Sequence, residues 1–428
     1  MDWMKTWKAC GCLVLALGLL LQGCGSNEGA RTKTMTSNKN QEKVVLTFYG
    51  NKVAADEVAV MEEILNDYMK ANPHVSITYE SLKGNEYYRI LDKRLDSGNG
   101  DDVFIVDHDH LLRYQKKGYV AKLNDLPAIN DYLPQVMDQM RWSDGSIYYA
   151  PTSISAFALF CNMDMLKEQK LAVPQNFGDF KKACAVFAAN GKKPLIVNQD
   201  LSLCTAIISG SWHSYYSQNK TVELCKAVNE KQQPMSSLLA DGITKAMELT
   251  PYIDTQKCLT FKKNTDDFKE FAKGEAPFML TGAWNNPRLA KLQPKFNYAL
   301  YPYPIKDDGN ILLTNVDTRM VVNAQSKNME ESKRFLNYLL QSDKMERLAQ
   351  SMSSFGVLKG TKKKQAAGDK RMAAINEAYA AENTMIGSDD RIKYPMWSRG
   401  FKAGKAILAG ASRKEVEKIF DADSNQAK

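Results

Sequence analysis

The chain has 428 residues, of which 44% are hydrophobic and 25% charged, and a formal net charge of +8. That length exceeds a single ordinary core, so two domains are expected, and the composition is that of a soluble globular protein rather than a disordered one. Lysines and acids are interspersed, with no basic stripe, so the charge gives no footprint for nucleic acid and no nucleic-acid partner is expected.

At the N-terminus Lys5 and Lys8 precede the apolar run from Cys12 to Leu21, which is too short to span a bilayer. Leu21-Gln22-Gly23-Cys24 follows it directly. This is the layout of a secretory signal over residues 1–23, and Leu21-Gln22-Gly23-Cys24 resembles the lipobox of bacterial lipoproteins. The resemblance implies cleavage before Cys24 and lipid on that cysteine, holding the protein at a membrane surface without a spanning helix. Residues 24–43 are almost wholly polar and read as a flexible tether. Of the later cysteines, Cys161, Cys184, Cys204, Cys225 and Cys258, no two stand in a C-x-x-C pair, so neither a zinc ribbon nor a redox motif is indicated. A disulfide such as Cys204 to Cys225 stays open at this point.

Folding is expected to begin at Val44 to Gly50, a β-rich run, followed by an amphipathic helix through Val58, Met61, Ile64, Leu65, Tyr68 and Met69 and an alternating strand at Val75 to Tyr79. A helix after Gly84 leads to a short buried strand at Val103 to Val106, and Asp107-His108-Asp109-His110 stands just beyond its C-terminal end. In open α/β sheets that edge binds ligands. Helices are predicted at 111–117 and 129–140. Asp144-Gly145 then turns the chain into Tyr148-Tyr149-Ala150-Pro151, a polar run Thr152 to Ser155 and an apolar run Ala156 to Cys161. A proline cannot donate to a sheet ladder, so the strand is expected to break or change sheet at Pro151 and to cross between two lobes. Helices are predicted at 163–170, 179–190 and through much of 201–260, with strands at 194–197, 277–280, 297–304 and 320–323. Helices follow at 330–341 and 343–352, a lysine-rich solvated loop at 361–365, and two closing helices around Tyr394 to Trp397. Alternating strands and helices predict a largely parallel sheet in each of two α/β domains.

Several fragments, each weak alone, occur in one order over nearly the whole chain: the lipobox at Cys24; Leu46 to Gly50; Asn72-Pro73-His74-Val75; Gly98-Asn99-Gly100-Asp101-Asp102-Val103; Lys117-Gly118-Tyr119-Val120; Asp144 to Pro151; Phe160-Cys161-Asn162; Gly282-Ala283-Trp284; and Lys327 to Leu336. The series resembles the family 1 extracellular solute-binding proteins, the maltose-binding class of sugar receptors that feed ABC importers. The resemblance implies an α/β, two-lobe fold of the periplasmic-binding-protein type II kind, with the ligand in a cleft between lobes. It places lobe one at 44–152 plus 301–340 and lobe two at 153–300 plus 341–428, with crossings near Ser153, near 298–304 and near 340–343. It further implies a carbohydrate ligand, an ABC permease as partner, a monomer, and residence on the extracytoplasmic face of a bacterial membrane. Departures from the pattern are Cys161, where relatives often have tyrosine, and Asn315-Val316-Asp317, where many carry glycines.

A sugar cleft needs flat aromatic platforms for C–H faces and carboxylates or amides for hydroxyl rims. The candidates are Trp284, at the end of a strand where the family carries a stacking tryptophan; Trp397, in the segment where relatives place another platform; and Trp212, for which plain burial fits as well. Asp107 and Asp109 follow a buried strand at the ligand edge, and the His108-Asp109 pair is similar to one whose aspartate accepts sugar hydroxyls in relatives. Tyr49, Asn51, Tyr149, Asp317 and Arg319 join them by their places beside strand ends or crossings. The rival for 107–110 is a cation site, since two histidines and two aspartates are competent ligands for a metal or polyamine. A glycan-degrading lipoprotein is the second rival, although no two carboxylates are marked as a glycosidase pair. There is no G-x-S-x-G, H-E-x-x-H or P-loop, and no cofactor motif.

Overall fold

The computed structural model describes residues 42–262, 265–361 and 369–422; the signal, Cys24, most of the tether and most of the lysine-rich loop lie outside the described residues. Nine strands are used below: β1 Val44–Gly50, β2 Val75–Ser81, β3 Val103–Val106, β4 Ala150–Asn162, β5 Leu195–Val197, β6 Phe278–Gly282, β7 Tyr298–Tyr301, β8 Leu312–Val322 and β9 Thr384–Ile386. They form one sheet in the order β2-β1-β3-β8-β4-β6-β5, with β7 on β4 and β9 on β8. The first three strands, with the helices Ala55–Ala71 and Asn85–Asp96, make the expected β-α-β-α-β start. Met61, Ile64, Leu65 and Tyr68 are the buried stripe of the first of these helices, at the three-and-four spacing read from the sequence.

β4 is the spine. All thirteen of its residues are buried. Residues 150–157 run antiparallel to β8, whereas 157–161 pair with β6 and 159–162 with β7. The strand exchanges partners here and runs on without a break at Pro151. The proline stands second in the strand, opposite Arg319, close enough to the strand's start for its missing N–H to be tolerated.

β8 also changes partners along its length. Its C-terminal end pairs with β3, and its N-terminal end lies between β4 and β9. Only residues 320–323 were expected as strand, since Thr314, Asn315, Asp317 and Thr318 hid the rest. The sheet is therefore mixed and continuous rather than two largely parallel sheets. β1–β2, β1–β3, β5–β6 and β8–β9 are parallel, and the pairings of β4 and the β3–β8 pair are antiparallel. In the β4–β8 ladder Ser153 pairs with Asp317 and Pro151 with Arg319, but Thr152 and Thr318 between them do not pair. Thr318 has φ 50°, a left-handed backbone that a β-branched residue rarely adopts.

Two local readings also change. The helix expected at 111–117 begins at His108, so Asp107 is its cap rather than part of a loop. The stretch 129–140 is a 3-10 turn, Pro127–Asp131, and a separate helix, Pro134–Met140, because Pro134 starts the second piece. β7 stays with the second half of β4, and the helix Ser342–Ser351 packs on the helix Ala55–Ala71 and on β4. The five cysteines are buried and none forms a disulfide. Among the described residues no helix is long and apolar enough to cross a membrane.

Candidate functional site

Where β4 and β8 cross, the sheet forms the floor of a cleft of about 580 Å³, within the range of small-molecule sites. Ser155 and Phe157 of β4 and Asn315, Asp317 and Arg319 of β8 line it from below. Side chains two apart on a strand share a face, which is why small Ser155 and the larger Phe157 both reach the cleft.

The first-lobe wall is polar. Asn51 and Lys52 follow β1, Tyr88 comes from the helix Asn85–Asp96, and Asp107, Asp109 and His110 come from the chain just past β3. Asp107 caps the helix His108–Lys116, its Oδ1 accepting from the His110 N–H at 2.8 Å and lying 2.7 Å from His110 Nδ1. His110 stacks on Tyr88 with ring centres 3.4 Å apart. Burial alone would raise the Asp107 carboxyl, but the charge and hydrogen bonds of His110 outweigh it and hold the group well below the usual carboxylate range. Asp109 reaches across the cleft: its Oδ2 accepts from the Ser398 N–H at 2.7 Å and the Ser398 hydroxyl at 2.5 Å, in the first turn of the helix Met396–Leu408. Its Oδ1 is buried with no partner, and burial pushes this carboxyl up.

The second-lobe wall is aromatic. Trp284 sits in a 3-10 turn directly after β6, and its indole folds back over Gly282, where a Cβ would lie 2.2 Å from the ring. Gly282 is thus required by the tryptophan's pose. Phe157 is the centre of the wall, meeting Trp284 edge-on at 5.3 Å and Trp397 at 5.8 Å, while Trp397 continues to Phe401 at 5.5 Å. Behind Trp284, the Thr281 hydroxyl donates to buried Asp267 at 2.8 Å and the Asn285 amide donates to Thr281 at 3.0 Å. This chain of hydrogen bonds fixes the turn that carries the indole.

Beneath the floor lies a buried charged cluster. Arg319 donates through Nε and Nη2 to the two oxygens of Asp390, each at 2.8 Å. His108 Nδ1 lies 2.8 Å from Asp390 Oδ1, and the Tyr149 hydroxyl donates to Oδ2. Burial would raise the Asp390 carboxyl, but Arg319 and His108 together hold it far below its ordinary value. At the rim, Lys52 faces Asp317 at 3.6 Å, and across the mouth Arg288 meets Glu57 at 3.2 Å and Lys291 meets Asp56 at 2.5 Å.

Of the residues singled out from sequence, Asn51, Asp107, Asp109, Trp284, Asp317, Arg319 and Trp397 meet at this cleft. Tyr49, Tyr149 and Trp212 do not. Tyr49 stacks on Tyr87 at 4.6 Å beneath Arg94, inside the first lobe; Tyr149 is spent on Asp390; and Trp212 is fully buried in the helix Leu201–Ser217. Position at a strand end marks the right edge of a sheet, but not the face a side chain takes. The cation reading of 107–110 loses His108, which turns inward to Asp390, and among the described residues no group of three or more His, Cys, Asp or Glu is placed to hold a metal. Sequence reasoning missed Phe157, Phe401, Glu57, Arg288 and Ser398. Phe157 was findable by counting in twos from Ser153 and Ser155, whereas the others sit in helices and rims without a motif.

Two lobes on one crossed sheet, with a cleft walled by both, define a two-lobe ligand-binding protein of the type II fold. The chain belongs to the bacterial extracellular solute-binding protein family, whose model matches residues 54–346. It is similar to the multiple sugar-binding protein of Streptococcus mutans, 21% identical over 362 residues covering 80% of this chain and 81% of that one. It is also similar to the melibiose/raffinose/stachyose-binding protein MelE of Bacillus subtilis, 21% identical over 348 residues covering 78% and 77%. Among solved structures, a chitin oligosaccharide binding protein matches with a TM-score of 0.73 at 16% identity, covering 89% of this chain and 98% of its own. The sugar receptor RafE in complex with raffinose matches with a TM-score of 0.70 at 17% identity and the same coverage.

Proposed function

We propose that this protein is an extracytoplasmic receptor that closes its two lobes around an oligosaccharide and passes it unchanged to an ABC import permease. The observation that carries the reading is the opposition, across one cleft, of an aromatic wall (Trp284, Phe157, Trp397) and a wall of carboxylates and amides (Asn51, Asp107, Asp109). Sugar rings present apolar C–H faces to the first and hydroxyl rims to the second. The binding of several sugars by relatives of this length supports the ligand class. In the same reading the protein is a monomer, held at the extracytoplasmic face of the cell membrane by lipid on Cys24, and performs no chemistry on its cargo. The first lobe then comprises β1 to β3, the start of β4, the end of β8 and the helices 329–339 and 342–351, the latter because it packs on the helix Ala55–Ala71.

A thermal-shift screen of oligosaccharides, divalent metals and polyamines tests this. A ligand held by the folded state alone at 100 times its Kd stabilises by about 2.7 kcal/mol. A clear rise in Tm with an oligosaccharide is expected. A rise with a metal or polyamine alone, or release of shorter sugars on incubation, would contradict the proposal.

A further inference from the structure

The pairing of charges around the cleft says which oligosaccharides it takes, given the reading of the site as a glycan cleft. Among the described residues four cationic side chains line it: Lys52, Lys83, Arg288 and Arg319. Arg319, the deepest, has its guanidinium filled by both oxygens of Asp390. Arg288 is held by Glu57 at 3.2 Å and also donates to Asn285. Lys52 faces Asp317, and Lys83 is exposed at the rim, where water and salt screen it. His110 is turned to Asp107.

The buried lining atoms without a partner, among the described residues, are Asn51 Oδ1, Asp109 Oδ1 and Asn315 Oδ1. All three are acceptors. Asp107 and Asp109 stand together on one wall; the Asp107 carboxylate is engaged by His110 and Tyr88, whereas Asp109 commits only Oδ2, to Ser398, and leaves Oδ1 over. A ligand entering here meets acceptors that need donors and cations already spoken for. Hydroxyl groups satisfy that arrangement, whereas a uronate, sulfate or phosphate would bring a charge next to two carboxylates and find its counter-ions occupied.

We propose that the cleft is selective for uncharged glycans and excludes acidic ones, and that Asp390 and Glu57 are specificity-determining residues because they occupy Arg319 and Arg288. Neither needs to touch the ligand. Each acts by withholding a cation from it.

The test is titration calorimetry of the purified protein with neutral oligosaccharides and with the same oligosaccharides oxidised to the carboxylate at every C6. Wild type is expected to bind the carboxylated series about 100-fold more weakly than the neutral one, the size expected of a buried like-charge contact. Glu57→Gln and Asp390→Asn each release an arginine and should narrow that ratio by roughly tenfold. Where Asp390→Asn fails to fold, Glu57→Gln at the rim decides. Carboxylated glycans binding wild type as tightly as neutral ones would overturn the inference and leave the glycan receptor standing. An unchanged ratio in the folded variants would overturn the roles given to Glu57 and Asp390. If neither series binds, the glycan reading fails, and this inference with it.

Discussion

On the first-lobe side the cleft is lined by Asn51, by Asp107, which is hydrogen-bonded to the helix it caps, and by Asp109, which is hydrogen-bonded to Ser398 across the cleft; on the second-lobe side it is lined by Trp284 and Trp397, leaning on Phe157. The supports differ as much as the walls. Behind the polar wall lies the buried Arg319–Asp390 pair with His108 and Tyr149, and behind the aromatic wall lies the chain of Asp267, Thr281 and Asn285. One wall is held by charge and the other by packing and hydrogen bonds. They should therefore fail differently.

Breaking the charged support should have the largest effect. Asp390→Ala leaves Arg319 buried without a partner, and a loss of about 3–5 kcal/mol of folding stability is expected, measurable by urea unfolding. A change below about 1 kcal/mol would mean the pair behaves like an exposed one. Next comes the aromatic wall. Trp284→Ala should weaken oligosaccharide binding by about 2–3 kcal/mol, roughly 30- to 150-fold, while Tm moves little because the indole is only half-buried. Trp212→Ala is the contrasting case: it should cost about 3–5 kcal/mol of stability as a core cavity, with the cleft's own contacts intact. If Trp284→Ala unfolds the protein and Trp212→Ala abolishes binding alone, the two tryptophans have been assigned the wrong way round.

A smaller effect is expected at Asp109. Asp109→Asn keeps the shape but weakens a charge-assisted acceptor, so affinity should fall by about 1–2 kcal/mol, read by calorimetry. The last comparison is with pH, which does not titrate the indole and phenyl rings themselves. The carboxyls of Asp107 and Asp390 are depressed below the ordinary 3.8, so the folded state binds their protons less readily than the unfolded chain does. Their contribution to stability is complete above that ordinary value and is lost as the pH falls through their lowered values. Tm should thus fall steeply below about pH 4 in wild type, and the part owed to Asp390 should be missing in Asp390→Asn.

Much of the fold was legible because its signals are local. The helix Ala55–Ala71 has its three-and-four stripe, β2 alternates, and the short fragments fall in family order. The cleft was legible where a residue type and a strand end coincided, as at Asp107, Asp109 and Trp284. It was not legible where the face mattered, since Tyr49 and Asn51 stand at the same strand end and only the latter meets the cavity. β8 was mostly hidden for a functional reason. Asn315, Asp317 and Arg319 face the cleft, so a strand that is buried along most of its length carries polar residues where a core strand would carry valine or leucine. Asp390, nearly 300 residues from its partner His108 in sequence, left no local trace at all.

The proposed function requires the aromatic wall to grip a sugar ring while the polar wall takes its hydroxyls. The most direct test is a fluorescence-monitored titration of wild type and Trp284→Ala with the best oligosaccharide from the thermal-shift screen. Saturable one-to-one binding with a tryptophan signal is expected in wild type, and loss of most of both the signal and the affinity in the folded variant. The same affinity and the same signal in Trp284→Ala would contradict it.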